Sequence, residues 1–146
     1  MTQEHKDLLL KDLCVRLPYG VIIQDKCVEH DKMFLPNKDE DRLISIDLSD
    51  GTLMTNVGIF HEVDEMKPYL FPLSSMTEEQ ENEWTDLRLN PLGAILEGKF
   101  NGKEEHMQLL SKSLSDPIQW CYKNHFDCNG LIPLGLAIDA TNLNIY

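Results

Sequence analysis

No stretch of the chain approaches the roughly 18 uninterrupted apolar residues that a membrane-spanning helix needs. Basic residues are scarce: 13 Lys and Arg stand against 25 Asp and Glu, a formal charge of -12. Such a chain repels phosphate at long range, which argues against direct nucleic-acid binding and against docking on acidic membranes. The glycine-rich signatures that cradle phosphates, G-x-x-x-x-G-K-[ST] and G-x-G-x-x-G, are both absent, so nucleotide hydrolysis loses its usual support. Nor is there a G-x-S-x-G elbow that would make Ser74 or Ser75 a nucleophile. The four cysteines, Cys14, Cys27, Cys121 and Cys128, form no paired C-x-x-C knuckles and are too scattered for a disulfide framework. They are expected to remain thiols in a cytoplasmic protein. The polar start Met1-Thr-Gln-Glu-His-Lys-Asp7 adds the expectation of no export signal.

What is present is an ordinary globular balance. With 42% apolar and 26% charged residues, a chain of 146 residues can bury one substantial core without a staple. A single domain over 1–146 is expected, β-rich from about 18 to 73 and mainly helical from about 77 to 130.

Thr2 is placed to cap a helix over Gln3 to Arg16, with Leu9, Leu13 and Leu17 on the buried stripe and Lys6, Asp7, Lys11 and Asp12 outward. Pro18 ends that helix and Tyr19-Gly20 turns the chain into a strand from Tyr19 to about Val28. A polar, turn-rich loop follows from Glu29 to Asp41, with Met33-Phe-Leu35 its only apolar patch. Alternation in Leu43-Ile-Ser-Ile-Asp-Leu48 predicts a half-buried strand, and Asp50-Gly51 a hairpin to a partner over Thr52 to Phe60. Pro68 and Pro72 confine Lys67-Pro-Tyr-Leu-Phe-Pro-Leu73 to a sheet edge or a strap, because proline lacks the amide a central strand needs.

Thr77-Glu-Glu-Gln80 is a capping box, so a helix is expected from Glu78 to about Arg88, ending before Asn90-Pro91. Residues 92–100 read as a short strand or irregular, and 103–114 as a marginal helix. Asp116-Pro117 predicts a fresh helix to about Phe126, with Asn129-Gly130 as its left-handed exit and a last short strand from Leu136 to Asp139. The sum is an α+β domain: an antiparallel sheet of four to five strands packed by an N-terminal helix and two or three C-terminal helices.

Three stretches, Asp12-Leu-Cys-Val-Arg-Leu-Pro-Tyr-Gly-Val21, Lys67-Pro-Tyr-Leu-Phe-Pro-Leu-Ser-Ser-Met-Thr77 and His125-Phe-Asp-Cys-Asn-Gly-Leu-Ile132, resemble segments of a family of small proteins of Bacteroidetes phages, prophages and mobile elements. That family has no assigned activity. The resemblance implies a cytoplasmic, element-associated protein and carries over no catalytic residue.

Three candidate sites remain. His125-x-Asp127 has the residue types of a general base and its orienting carboxylate, which would suit a small hydrolase or nuclease. Against it stands the bland reading of a half-buried histidine at a helix end. Cys121-x3-His125-x2-Cys128, completed by Cys27 and His30, has the soft ligands of a zinc site at imperfect spacing. No cofactor is the favoured expectation, since buried small thiols are the commoner role. Tyr19, Tyr69 and Phe71 supply aromatic contacts for a docking site, or fill the core. Functionally, the composition favours a non-enzymatic accessory protein that docks a basic protein partner through an acidic surface.

Overall fold

The computed structural model describes residues 1–25, 41–56, 58 and 60–146. The expected ligands Cys27 and His30, the patch Met33-Phe-Leu35 and the end of the first predicted strand lie outside the described residues.

Helix α1 spans Gln3–Arg16, and the Thr2 hydroxyl accepts from the His5 amide at 3.2 Å. One turn of 3-10 helix, Leu17–Tyr19, then carries the chain to Gly20, whose φ of +67° is left-handed. A Cβ there would come within 2.5 Å of the Arg42 guanidinium, the movable end of a long side chain, so it is the left-handed backbone that calls for glycine.

The expected single sheet of four to five strands is replaced, among the described residues, by two sheets of three strands each. In one, β2 (Leu43–Asp47), β3 (Thr52–Thr55) and β4 (Phe60–Glu62) run antiparallel in chain order. The Asp50-Gly51 turn joins β2 to β3 as expected, but the return strand divides in two, because a second turn at Gly58 (φ +75°) sends β4 back along β3. In the other sheet, β1 (Ile23–Asp25) pairs antiparallel with β5 (Met66–Leu70), and β5 pairs in parallel with β6 (Ile138–Asp139). The backbone of Val21 and Ile23 bonds that of Leu43 and Asp41, which links the two sheets.

Strand β5 is therefore central, against the expectation of an edge. Its register explains how proline is tolerated. The Tyr69 amide donates to Ile22, so the neighbouring Pro68, opposite Ile23, turns its nitrogen to the other side. There β6 begins only opposite Tyr69, and no amide is missed.

Two further helices follow. Helix α2 runs Glu78–Leu96 behind the expected Thr77/Gln80 capping box, and α3 runs Gly102–Lys123. Both pass through prolines, Pro91 and Pro117, that the sequence marks as boundaries. Residues 92–100 are thus mostly helix, and Asp116-Pro117 starts nothing. The two helices pack on each other along their length, and that packing outweighs the lost bond and clash, about 3 kcal/mol per interior proline.

Leu9 and Leu13 of α1 pack with Val21, Ile23, Leu43, Leu53, Met66 and Leu70 of the sheets and with Leu131. A second cluster, Trp120, Cys121 and Phe126 with Phe71, Met76, Trp84 and Leu87, joins the root of the helical pair to the sheet. None of the helices among the described residues is long and apolar enough to cross a membrane.

Candidate functional site

Helix α3 ends in a Schellman arrangement. Phe126 N–H donates to Cys121 O at 2.8 Å and His125 N–H to Tyr122 O at 3.2 Å. The left-handed residue this motif requires is His125, φ 60°, in place of the Asn129-Gly130 exit read from the sequence. A non-glycine residue there is strained. His125 is held by its ring, which stacks on Tyr146 with centroids 3.8 Å apart, and by its carbonyl, which accepts from Phe71 N–H at 2.9 Å. Burial first, and then the charges of Arg16 and Arg42, push the imidazole down to about 4, and its Nδ1 has no hydrogen-bond partner.

Asp127 does not orient that imidazole. Its Oδ1 accepts from Leu131 N–H at 2.7 Å and its Oδ2 from Ile132 N–H at 2.8 Å, so both carboxylate oxygens hold the turn that follows. Ser75 Oγ donates to Pro72 O, and Ser74 lines a shallow cleft of about 230 Å³ with Leu73, Met76, Glu81 and Trp84.

A polar cluster lies inside the same junction. Asp12, expected to face outward, is buried, and its carboxylate takes Arg16 Nε at 2.6 Å and Nη2 at 3.2 Å. Arg16 Nη2 also donates to Phe126 O at 2.8 Å, and the guanidinium lies 4.9 Å over the Tyr122 ring. Asn129 Nδ2 donates to Asp12 Oδ1 at 2.8 Å and to the Tyr122 hydroxyl at 3.1 Å. Sequence periodicity could not find this cluster, since its members come from positions more than a hundred residues apart. The only local signal is the i,i+4 spacing of Asp12 and Arg16.

Cys121 and Cys128 meet at the edge of this cluster. Cys121 is fully buried and Cys128 half-buried against the Trp120, Cys121 and Phe126 group. Cys128 is lowered to about 7, the neighbouring Cys121 thiol being the first cause, and Cys121 is raised by Cys128 and by burial. Arg16 and the Tyr122 hydroxyl favour the Cys128 thiolate, while burial and Asp12 oppose it. Among the described residues, no three His, Cys, Asp or Glu side chains come together as a metal site. The remaining proposed zinc ligands, Cys27 and His30, are outside them.

Of the aromatic residues read as docking contacts, Tyr69 is buried, Phe71 is wedged between Phe126 and Tyr146 at 6.0 and 5.7 Å, and Tyr19 is half-buried. The Tyr69 and Phe71 rings thus pack into the interior. Among the described residues, the helical pair carries six of the large exposed apolar side chains. Leu89, Leu92 and Leu96 follow one stripe of α2, and Met107, Leu114 and Ile118 one stripe of α3. Glu79, Glu83 and Asp86 form an exposed acidic stripe on α2 at spacings of four and three.

No family model matches the chain, and no curated protein or solved structure matches it either.

Proposed function

We propose that the protein is a non-enzymatic, cytoplasmic accessory protein of a phage or mobile element that docks a basic protein partner, and that the outer surface of the α2–α3 pair is the docking face. The observation that carries this reading is that α2 buries none of its 19 residues, yet exposes Leu89, Leu92 and Leu96 in line on its second half and Glu79, Glu83 and Asp86 on its first. A helix of a monomeric domain ordinarily turns its apolar stripe inward. Contiguous exposed apolar side chains rimmed by charge mark association surfaces. The net charge of -12 extends the attraction to a basic partner beyond contact distance. Element association rests on the segment resemblance alone. The other reading, a small hydrolase or nuclease using His125 and Asp127, draws no support from the geometry, because the carboxylate is occupied by two backbone amides.

The test is affinity capture from the bacterial host with three forms of the chain. Wild type should retain a basic partner in a salt-sensitive manner. A charge variant, E79K/E83K/D86K, and an apolar variant, L92D/L96D, should each release it while keeping wild-type circular dichroism. A control bearing D47K and D139K, away from the helical pair, should still bind. Capture unaffected by both helical variants, or no stable partner at all, rejects the proposal.

A further inference from the structure

We propose that a second copy of this chain covers one broad side of the α2–α3 pair, so that the protein is a dimer whose two helical pairs close into a four-helix bundle through Leu89, Leu92 and Leu96 of α2 and Met107, Leu114 and Ile118 of α3. The docking face for a basic partner is then the acidic side of the pair alone. Because the dimer is measured on the purified chain, it stands or fails separately from partner capture.

Helical periodicity places the six side chains on one side. A short connection, 97–101, joins α2 to α3 and the two pack along each other, which makes them antiparallel neighbours. The half-buried Trp84, Leu87 and Pro91 mark the inward line of α2, and the buried Ser113, Pro117 and Trp120 mark that of α3. At about 100° per residue, Leu89, Leu92 and Leu96 lie about a third of a turn beyond the inward line of α2, and Met107, Leu114 and Ile118 about a third of a turn beyond that of α3, in the same rotational sense. Two antiparallel helices turn such equal offsets to the same side of the pair. The opposite side agrees with this placement. A groove of about 260 Å³ there is lined by Glu83, Asp86, Leu87, Asn90 and Pro91 of α2 together with Asp116 of α3. Glu83 is half a turn from Leu92, and Asp116 nearly half a turn from both Leu114 and Ile118.

Charge selects the occupant of each side. Two copies that each carry -12 repel, so they meet only where carboxylates are absent. Every carboxylate between Asn82 and Leu96 and between Met107 and Ile118, namely Glu83, Asp86 and Asp116, lines the groove on the far side. On the apolar side Thr85 and Ser111 stand among the six, and the Arg88 guanidinium lies 4.7 Å over the Trp84 ring at its margin. A basic partner gains nothing from this uncharged side and fits the groove instead. The six side chains expose about 600 Å² per copy, to which Thr85, Arg88 and Ser111 add, against roughly 800 Å² per partner in a standard interface. A helix is held mainly by tertiary packing, and α2 buries none of its 19 residues while carrying Pro91 inside. A second pair laid on its open side adds the packing that one neighbour does not supply. The dimer also presents two acidic grooves, so breaking it loosens capture of a basic partner through lost bivalency.

The experiment measures the mass of the purified full-length chain by sedimentation, under reducing conditions and over a range of micromolar concentrations. Wild type should approach twice its 16.8 kDa as concentration rises. L92D/L96D on α2 and L114D/I118D on α3 should each raise the dimer Kd about tenfold or more with wild-type circular dichroism, since all four side chains are exposed in one copy. If an aspartate variant loses its helical signal, L92S/L114S takes its place. E83K/D86K, in the groove, should dimerise at least as well as wild type. Added salt should tighten the dimer by screening the repulsion between two chains of -12, where it weakens capture of a basic partner. A mass of 16.8 kDa at every concentration, or a dimer unmoved by the apolar variants, overturns the proposal.

Discussion

Arg16 and Asp12 stand 2.6 Å apart, Nε to Oδ2, one helical turn from each other, and neither side chain is exposed to solvent. Asp12 is further satisfied by Asn129, and Arg16 by the Phe126 carbonyl, while Arg16 Nη1 has no partner. The pair fixes α1 against the turn after α3, and a buried charge left alone there would be far costlier than the pair itself is stabilising.

Asp12→Ala should therefore lower unfolding free energy by about 3–5 kcal/mol, because it leaves the guanidinium buried and uncompensated. The double substitution Asp12→Leu with Arg16→Met should cost clearly less than the sum of the single changes. Urea unfolding of the four proteins gives the coupling directly, and additive single effects would show that the two charges do not depend on each other.

His125 makes stability depend on pH. Its folded value is about 4, below the roughly 6.5 of a free imidazole. Above pH 6.5 both states are neutral and nothing is lost. As the pH falls from 6.5 toward 4, the unfolded chain binds a proton that the folded chain refuses, so stability declines and the loss is complete below 4. His125→Asn keeps a residue that tolerates the left-handed backbone and should flatten this part of the curve relative to wild type. Identical slopes between pH 6.5 and 4.5 in the two proteins would refute the assignment.

Asp127→Ala removes the acceptor for two amides at the start of the 131–132 segment. The expected loss is about 3 kcal/mol, from charge-assisted bonds of about 1.5–3 kcal/mol each offset in part by water. Faster amide exchange at Leu131 and Ile132 should accompany it. Unchanged exchange at both positions would mean that the carboxylate does not hold this turn.

Local signals predicted local structure well. Thr2 and the stripe of Leu9 and Leu13 give α1, the Thr77/Gln80 box gives the start of α2, and Asp50-Gly51 gives the β2–β3 turn. The failures share a cause: tertiary packing outweighed a local preference. Pro91 and Pro117 are carried inside helices because α2 and α3 support each other, and Pro68 sits centrally because its nitrogen faces a stretch that β6 does not reach. At the site, sequence pointed to the right segment for the wrong pairing. His125, Asp127 and Cys128 are all at the junction, but Asp127 bonds forward to Leu131 and Ile132, and Cys128 packs against the Trp120, Cys121 and Phe126 group. Asp12 was misplaced because its partner Asn129 is 117 positions away.

The junction also bears on how quickly the chain can fold. Arg16 meets Phe126 across 110 positions, Asp12 meets Asn129 across 117, and Ile22 N–H meets the Tyr146 hydroxyl across 124. Loop closure over such spans must precede any reward from the contacts. The charges of Asp12 and Arg16 therefore stay hydrated until the far segment arrives. These spans predict that α1 docks on that segment late and that folding falls with the slower, long-range topologies despite the helical content.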